Sequence, residues 1–197
     1  MNCVILGASS DIAKELATRL QTDGWMIHPV YRGGRLPSAK WDLILVAIGT
    51  LAPVGKFFDM AFTTWEEGFN ANVMLPLALV HTLYEQRNEG AAICFFGGTN
   101  PYKANPHYSA YAAAKAALRM AVRDLGAEYP ELRTFMLDTG FVQTKIHKPT
   151  IESGIHNERL AQGGGTPHEQ IYAALKKCME APIANITGNY FFAPHIA

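Results

Sequence analysis

Six short apolar runs, separated by turn residues and by stretches with helical spacing, limit what this chain can fold into more than any other feature. Cys3 to Leu6 ends at Gly7, and Asp11 to Leu20 follows with Ile12, Leu16 and Leu20 on one helical face. Gly24 closes that helix and Trp25 to Tyr31 reads as a second strand, after which Gly33, Gly34 and Pro37 break the chain. Leu43 to Ile48 is apolar throughout, as a strand covered on both faces must be.

Farther on, Thr64 to Gln86 predicts a long helix interrupted at Pro76, Ala91 to Phe96 a strand, and Ser109 to Glu128 an alanine-rich helix. Arg133 to Leu137 predicts a strand, His168 to Glu180 a helix, and Tyr190 to Phe192 a last short strand. Strands that alternate with helices pair in parallel through right-handed crossovers. The expected fold is therefore α/β: a doubly wound, Rossmann-like parallel sheet in a three-layer α/β/α arrangement. With 197 residues, 49% of them hydrophobic, residues 1–197 are read as one domain. Such sheets bind ligands at the carboxyl ends of their strands, so the residues just after each strand are the site candidates.

Lysine and arginine together number 17, as do aspartate and glutamate, so the field that would gather nucleic acid or an anionic membrane is missing. No apolar run approaches the roughly 20 residues of a membrane helix, and Met1 to Leu6 runs into a glycine turn without a basic region, so a cytoplasmic protein is expected. Cys3, Cys94 and Cys178 lack the close spacing of a zinc or redox motif; buried structural thiols and no metal are expected.

Gly7-Ala8-Ser9-Ser10-Asp11-Ile12-Ala13 is a small-residue turn between strand and helix, through which backbone amides and a helix N-terminus can approach a pyrophosphate. Asp11 adds negative charge there, unless its carboxylate turns away to cap the helix. The second strand ends not on an acid for ribose hydroxyls but on Tyr31-Arg32, with Arg35 near, which favours NADP and makes NAD the alternative. Tyr111 and Lys115 stand four residues apart on one helical face, where the ammonium would favour the phenolate.

In this order and spacing the motifs resemble those of the short-chain dehydrogenase/reductase family. Gly7 to Ala13 is similar to its G-x-x-x-G-x-G turn, with Asp11 and Ala13 in place of two glycines. Trp65 to Asn72 is similar to its tryptophan-to-asparagine stretch, and Tyr111-Ala-Ala-Ala-Lys115 to its Y-x-x-x-K. The family's N-N-A-G survives as Ala47-Ile48-Gly49, and Asp138 to Thr144 resembles P-G-x-x-x-T with Thr139 for proline. Ile186 to Asn189 matches a late I-T-G-x stretch.

The resemblance implies an NAD(P)-dependent oxidoreductase that moves a hydride between the nicotinamide and a small carbonyl or alcohol substrate. It implies that Tyr111 transfers the proton, that Lys115 lowers its pKa and bonds the ribose, and that Thr99 fixes the substrate oxygen. The family's serine would by strict spacing fall on Gly98, so Thr99 assumes a small shift, whereas Ser109 helps start the helix. Asn72 would hold a relay water on its carbonyl, and Pro76, which has no N–H, independently leaves that carbonyl without its helical donor. Gly7, Ser9, Ser10, Asp11, Ile12, Arg32, Ala47, Gly49, Tyr111, Lys115, Gly140, Val142 and Thr144 would line the dinucleotide.

The resemblance further implies a substrate loop at 145–166 hinged at Gly163 to Gly165, and a homodimer or homotetramer. Within that loop His147, Lys148, His156 and Arg159 read as solvated rather than as anion ligands. Gly7 and Gly49 stand far closer than in relatives, so a helix and a strand that enclose the adenine are missing or reduced to Leu36 to Asp42. Asp11, the altered N-N-A-G and this shortening motivate the rival reading, a non-catalytic or regulatory dinucleotide-binding protein. A sugar-nucleotide epimerase would need more chain after Pro167 than is present.

Overall fold

Alternate residues of each strand feed two separate cores in the structure, a computed structural model that describes residues 1–98 and 104–197. The strands are β1 (Asn2–Leu6), β2 (Met26–Val30), β3 (Trp41–Val46), β4 (Arg87–Phe96), β5 (Arg133–Asp138) and β6 (Asn189–Phe192). The helices are α1 (Asp11–Thr22), α2 (Phe62–Asn72), α3 (Met74–Leu83), α4 (Ser109–Glu128), α5 (Lys148–Glu152), α6 (Glu158–Gln162), α7 (His168–Glu180), α8 (Ile183–Ile186) and α9 (Ala193–Ile196). All strand pairs are parallel and the order is β2-β1-β3-β4-β5-β6.

Cys3, Ile5, Leu43, Leu45, Cys94, Phe135 and Leu137 point to one side, where they pack with Leu16 of α1 and Ile171 and Leu175 of α7. Val4, Leu6, Ile44, Val46, Ile93, Phe95 and Met136 point to the other, against Val80 and Leu83 of α3 and Leu118 and Val122 of α4. This two-residue period with both faces apolar explains why the strands read as continuous hydrophobic runs. The expected doubly wound, three-layer α/β/α sheet is the observed one. All three cysteines are buried and free, as expected, and burial pushes the Cys178 thiol up to about 11.

Three local expectations are corrected. The long helix yields at Val73 (φ −130°, ψ −55°), not at Pro76, because the proline ring would strike the carbonyl of Asn72 and the chain relieves that clash one residue later. β4 begins at Arg87, its polar start lying outside the apolar run that betrayed it. The 145–166 segment is not a plain loop: α5 and α6 occupy it, Thr166 N donates to Phe141 O at 2.7 Å, and Val142 bridges Gly165. As the short stretch from Gly7 to Gly49 implied, the chain crosses β1 between β2 and β3 with no helix, and Leu36 packs on the core there. From β1 the chain steps outward to β2 and returns beyond β1 to β3, which opens a crevice at the carboxyl ends of β1 and β3.

Candidate active site

At that crevice the turn after β1 presses against the end of β3. Gly7 has φ +85°, and a Cβ there would lie 2.8 Å from the Ala47 carbonyl, so only glycine fits. The Gly7 and Ala8 amides both donate to Val30 O, at 3.0 and 3.1 Å, and Ser10 N donates to Gly7 O. The donors left for an anion are therefore the first amides of α1, from Asp11 onward, whose helical acceptors do not exist. Asp11 does turn away from that position, but not to cap the helix. Its carboxylate reaches Lys145, whose Nζ lies 3.3 Å from one oxygen and whose amide donates to the other at 2.9 Å.

β3 ends at Val46, and the segment after it is held by Asn72, which is fully buried. The Asn72 amide donates to Thr50 O (2.9 Å) and Gly68 O (2.7 Å), and its Oδ1 accepts from Thr50 N (3.0 Å). A Cβ on Gly49 would lie 3.0 Å from Asn72 Oδ1 and 3.9 Å from Lys115 Nζ, which puts the α2 terminus beside the lysine.

Helix α4 carries Tyr111 and Lys115, both 7% exposed. Lys115 Nζ donates to Phe96 O, the last carbonyl of β4, at 2.8 Å. Burial pushes the Lys115 ammonium down to about 8, with the Asp138 carboxylate pulling the other way. Burial and then the same Asp138 charge raise the Tyr111 hydroxyl above the ordinary tyrosine range. Lys115 was expected to favour the phenolate; burial and the Asp138 carboxylate act in the opposite sense, because a desolvated anion beside a carboxylate is doubly disfavoured.

A Cβ at Gly98, where strict spacing would put the family's serine, would overlap the Tyr111 hydroxyl. Thr99, the expected substitute, lies outside the described residues. Ser109 does open α4, and its Oγ accepts from the Trp65 indole at 3.0 Å.

Every residue expected to touch a dinucleotide, from Gly7, Ser9, Ser10, Asp11, Ile12 and Arg32 through Ala47 and Gly49 to Gly140, Val142 and Thr144, lines one cavity with Tyr111 and Lys115. Its volume is about 1580 Å³, above the roughly 300–1,000 Å³ of small-molecule sites, as a dinucleotide with a substrate requires. A glycine-tight turn, open helix amides and a buried lysine in one cleft fit such a cofactor. His147 bonds Val142 O at 3.2 Å, Lys148 pairs with Glu152, and His156 is exposed. His147, Lys148 and Arg159 nevertheless line the cavity, Arg159 as an exposed cation.

Residues 39–153 match the family model described as short chain dehydrogenase, which is more than half of the chain. The chain belongs to the short-chain dehydrogenase family. The match includes Asn72, Tyr111, Lys115 and Thr144 and leaves out the turn at Gly7, where Asp11 and Ala13 depart from the family pattern. An uncharacterized oxidoreductase of Schizosaccharomyces pombe is 27% identical over 128 residues, 64% of this chain and 51% of that protein. The chain thus spans about half the length of that curated relative. A small-chain dehydrogenase solved in complex with NADPH shares the fold with TM-score 0.82 at 20% identity, over 98% of this chain and 95% of its own. Thermoplasma acidophilum aldohexose dehydrogenase, in ligand-free form, gives 0.79 at 14% identity over 97% and 91%.

Sequence reasoning missed Asp138, Tyr190, Arg119 and the pairing of Lys145, all of which line the same cavity. A carboxylate directly after the apolar run Phe135 to Leu137 was the available signal for Asp138.

Proposed function

We propose that this short-chain dehydrogenase is an NAD(P)-dependent oxidoreductase acting on a small carbonyl or alcohol, with NADP as the preferred cofactor. One observation carries the reading: Tyr111 and Lys115 are buried side by side on α4 and open into the same cavity as the Gly7 turn. A bound nicotinamide supplies the hydride in the reductive direction and accepts it in the other. The first amides of α1, with Ser9 and Ser10, hold the pyrophosphate, and Thr144 with the Gly140 and Val142 backbone holds the nicotinamide end.

Tyr111 gives its proton to the substrate oxygen as the carbonyl carbon is reduced, so a carbonyl becomes an alcohol with one hydride and one proton. Its raised pKa suits a donor that must arrive protonated. Lys115, charged below about pH 8, balances the oxygen's developing charge and bonds the ribose. Asn72 O, which Pro76 cannot bond, accepts the water that resupplies the proton, while the Asn72 side chain fixes Thr50 in the cavity wall.

The NADP preference is supported by Arg32, exposed at the end of β2 and lining the cavity, where a guanidinium can bond a 2′-phosphate bidentately. The NADPH seen with one structural relative agrees. Among the described residues no helix is long and apolar enough to cross a membrane, and the balanced charge suits a cytoplasmic protein. The exposed Phe62 of α2 and Met120 of α4 suit pairing into a homodimer or homotetramer. The charge on Asp11, which motivated a non-catalytic alternative, is met by Lys145.

The test is a fluorescence titration with NADPH and with NADH, followed by NADPH oxidation against aldehydes, ketones and quinones. NADPH should bind more tightly, and Tyr111→Phe should retain binding while losing turnover by about 100-fold or more. Turnover that survives Tyr111→Phe rejects the mechanism.

A further inference from the structure

Asp11 opens α1 at the point where helix amides and the positive end of the helix dipole would meet a pyrophosphate. An unpaired carboxylate there would compete for those amides and repel both phosphates. The structure gives that carboxylate one dedicated partner, Lys145, which lies 134 residues away in sequence. The Lys145 amide donates to Asp11 Oδ2 at 2.9 Å, Nζ lies 3.3 Å from Oδ1, and the same Nζ donates to Ser9 O. Both carboxylate oxygens and a carbonyl of the turn are thus gathered by one residue.

Lys145 also follows Thr144 directly and begins the short helical turn Lys145–His147. The pairing therefore ties the segment after β5 to the turn after β1, both of which line the cavity. The other cation acting on Asp11, Lys14, contributes least to keeping its carboxyl low; the Lys145 amide contributes most.

Resting on the dinucleotide reading above, we propose that Lys145 is the positioning residue that makes an acidic first turn compatible with a dinucleotide. It acts by neutralising Asp11 and clasping the segment after β5 over the pyrophosphate. Affinity then depends on the pair. Lysine without the acid leaves a cation beside phosphate, which is tolerated; acid without the lysine leaves an anion beside phosphate, which is not.

The test measures NADPH binding by fluorescence for the wild type, Lys145→Met, Asp11→Asn and the double variant, with thermal melts to confirm folding. Lys145→Met should weaken binding about tenfold, and adding Asp11→Asn should bring it back to within about threefold of wild type. Equal affinity of Lys145→Met and wild type overturns the inference while leaving the cofactor reading intact. So does a double variant as weak as Lys145→Met, since Lys145 would then act on phosphate directly. A wild type that binds neither NADPH nor NADH fails the cofactor reading itself, and this inference with it.

Discussion

The Tyr190 hydroxyl donates a hydrogen bond to the Asp138 carboxylate, whose other oxygen takes the Gly140 amide at 2.8 Å. Asp138 is 6% exposed, and both residues share the cavity with Tyr111. A buried negative charge so placed opposes loss of the Tyr111 proton, adding to burial, and favours the charged form of Lys115.

Asp138→Asn removes the charge and keeps the shape. The phenolate of Tyr111 becomes easier to form, so its pKa should fall by on the order of one unit. The measurement is a pH titration of phenolate absorbance, taken as the difference between each protein and its Tyr111→Phe counterpart. Tyr190→Phe keeps the charge and should shift the midpoint less than Asp138→Asn. An unchanged midpoint in Asp138→Asn would show that burial alone sets the tyrosine.

Restoring the family's serine at position 98 should harm this protein. Gly98 has φ +155°, and any Cβ there overlaps the Tyr111 hydroxyl, so the phenol must shift within the cavity it lines. Gly98→Ser and Gly98→Ala should therefore lose about 100-fold in kcat, the usual cost of displacing a reacting group by about 1 Å. Steady-state rates decide it. A gain in kcat for the serine variant alone would mean that the helix accommodates the side chain and that the hydroxyl was the missing part.

The sheet and the Tyr111 helix are legible in the sequence because their signals are local. Cys3 to Leu6 or Leu43 to Val46 can be read without knowing the neighbours, since each strand is apolar on both faces. Gly7 follows from turn chemistry and the Tyr111–Lys115 pair from helical spacing, whereas Gly49 is legible only through the family resemblance. What the sequence hides is pairing at long range. Tyr190 meets Asp138 across 52 residues and Lys145 meets Asp11 across 134, through sheet order and not through any spacing rule. The direction of the Tyr111 pKa is hidden for the same reason: Lys115 stands near it in sequence, while burial and then Asp138 act on it only through the fold.

Lys115 also makes stability depend on pH in a direction that can be checked. Its folded pKa, about 8, lies below the unfolded value of 10.5, so between those values the unfolded chain binds more protons than the folded one. Stability contributed by this group therefore rises with pH from about 8 to 10.5, and below 8 the buried charge carries its full penalty. Lys115→Met removes the titration. The stability of wild type relative to Lys115→Met should improve by about 2 kcal/mol between pH 7.5 and pH 9.5, read from urea unfolding of both proteins at each pH. A difference that stays constant over that interval would mean that Lys115 keeps an ordinary pKa, with water or Asp138 offsetting its burial.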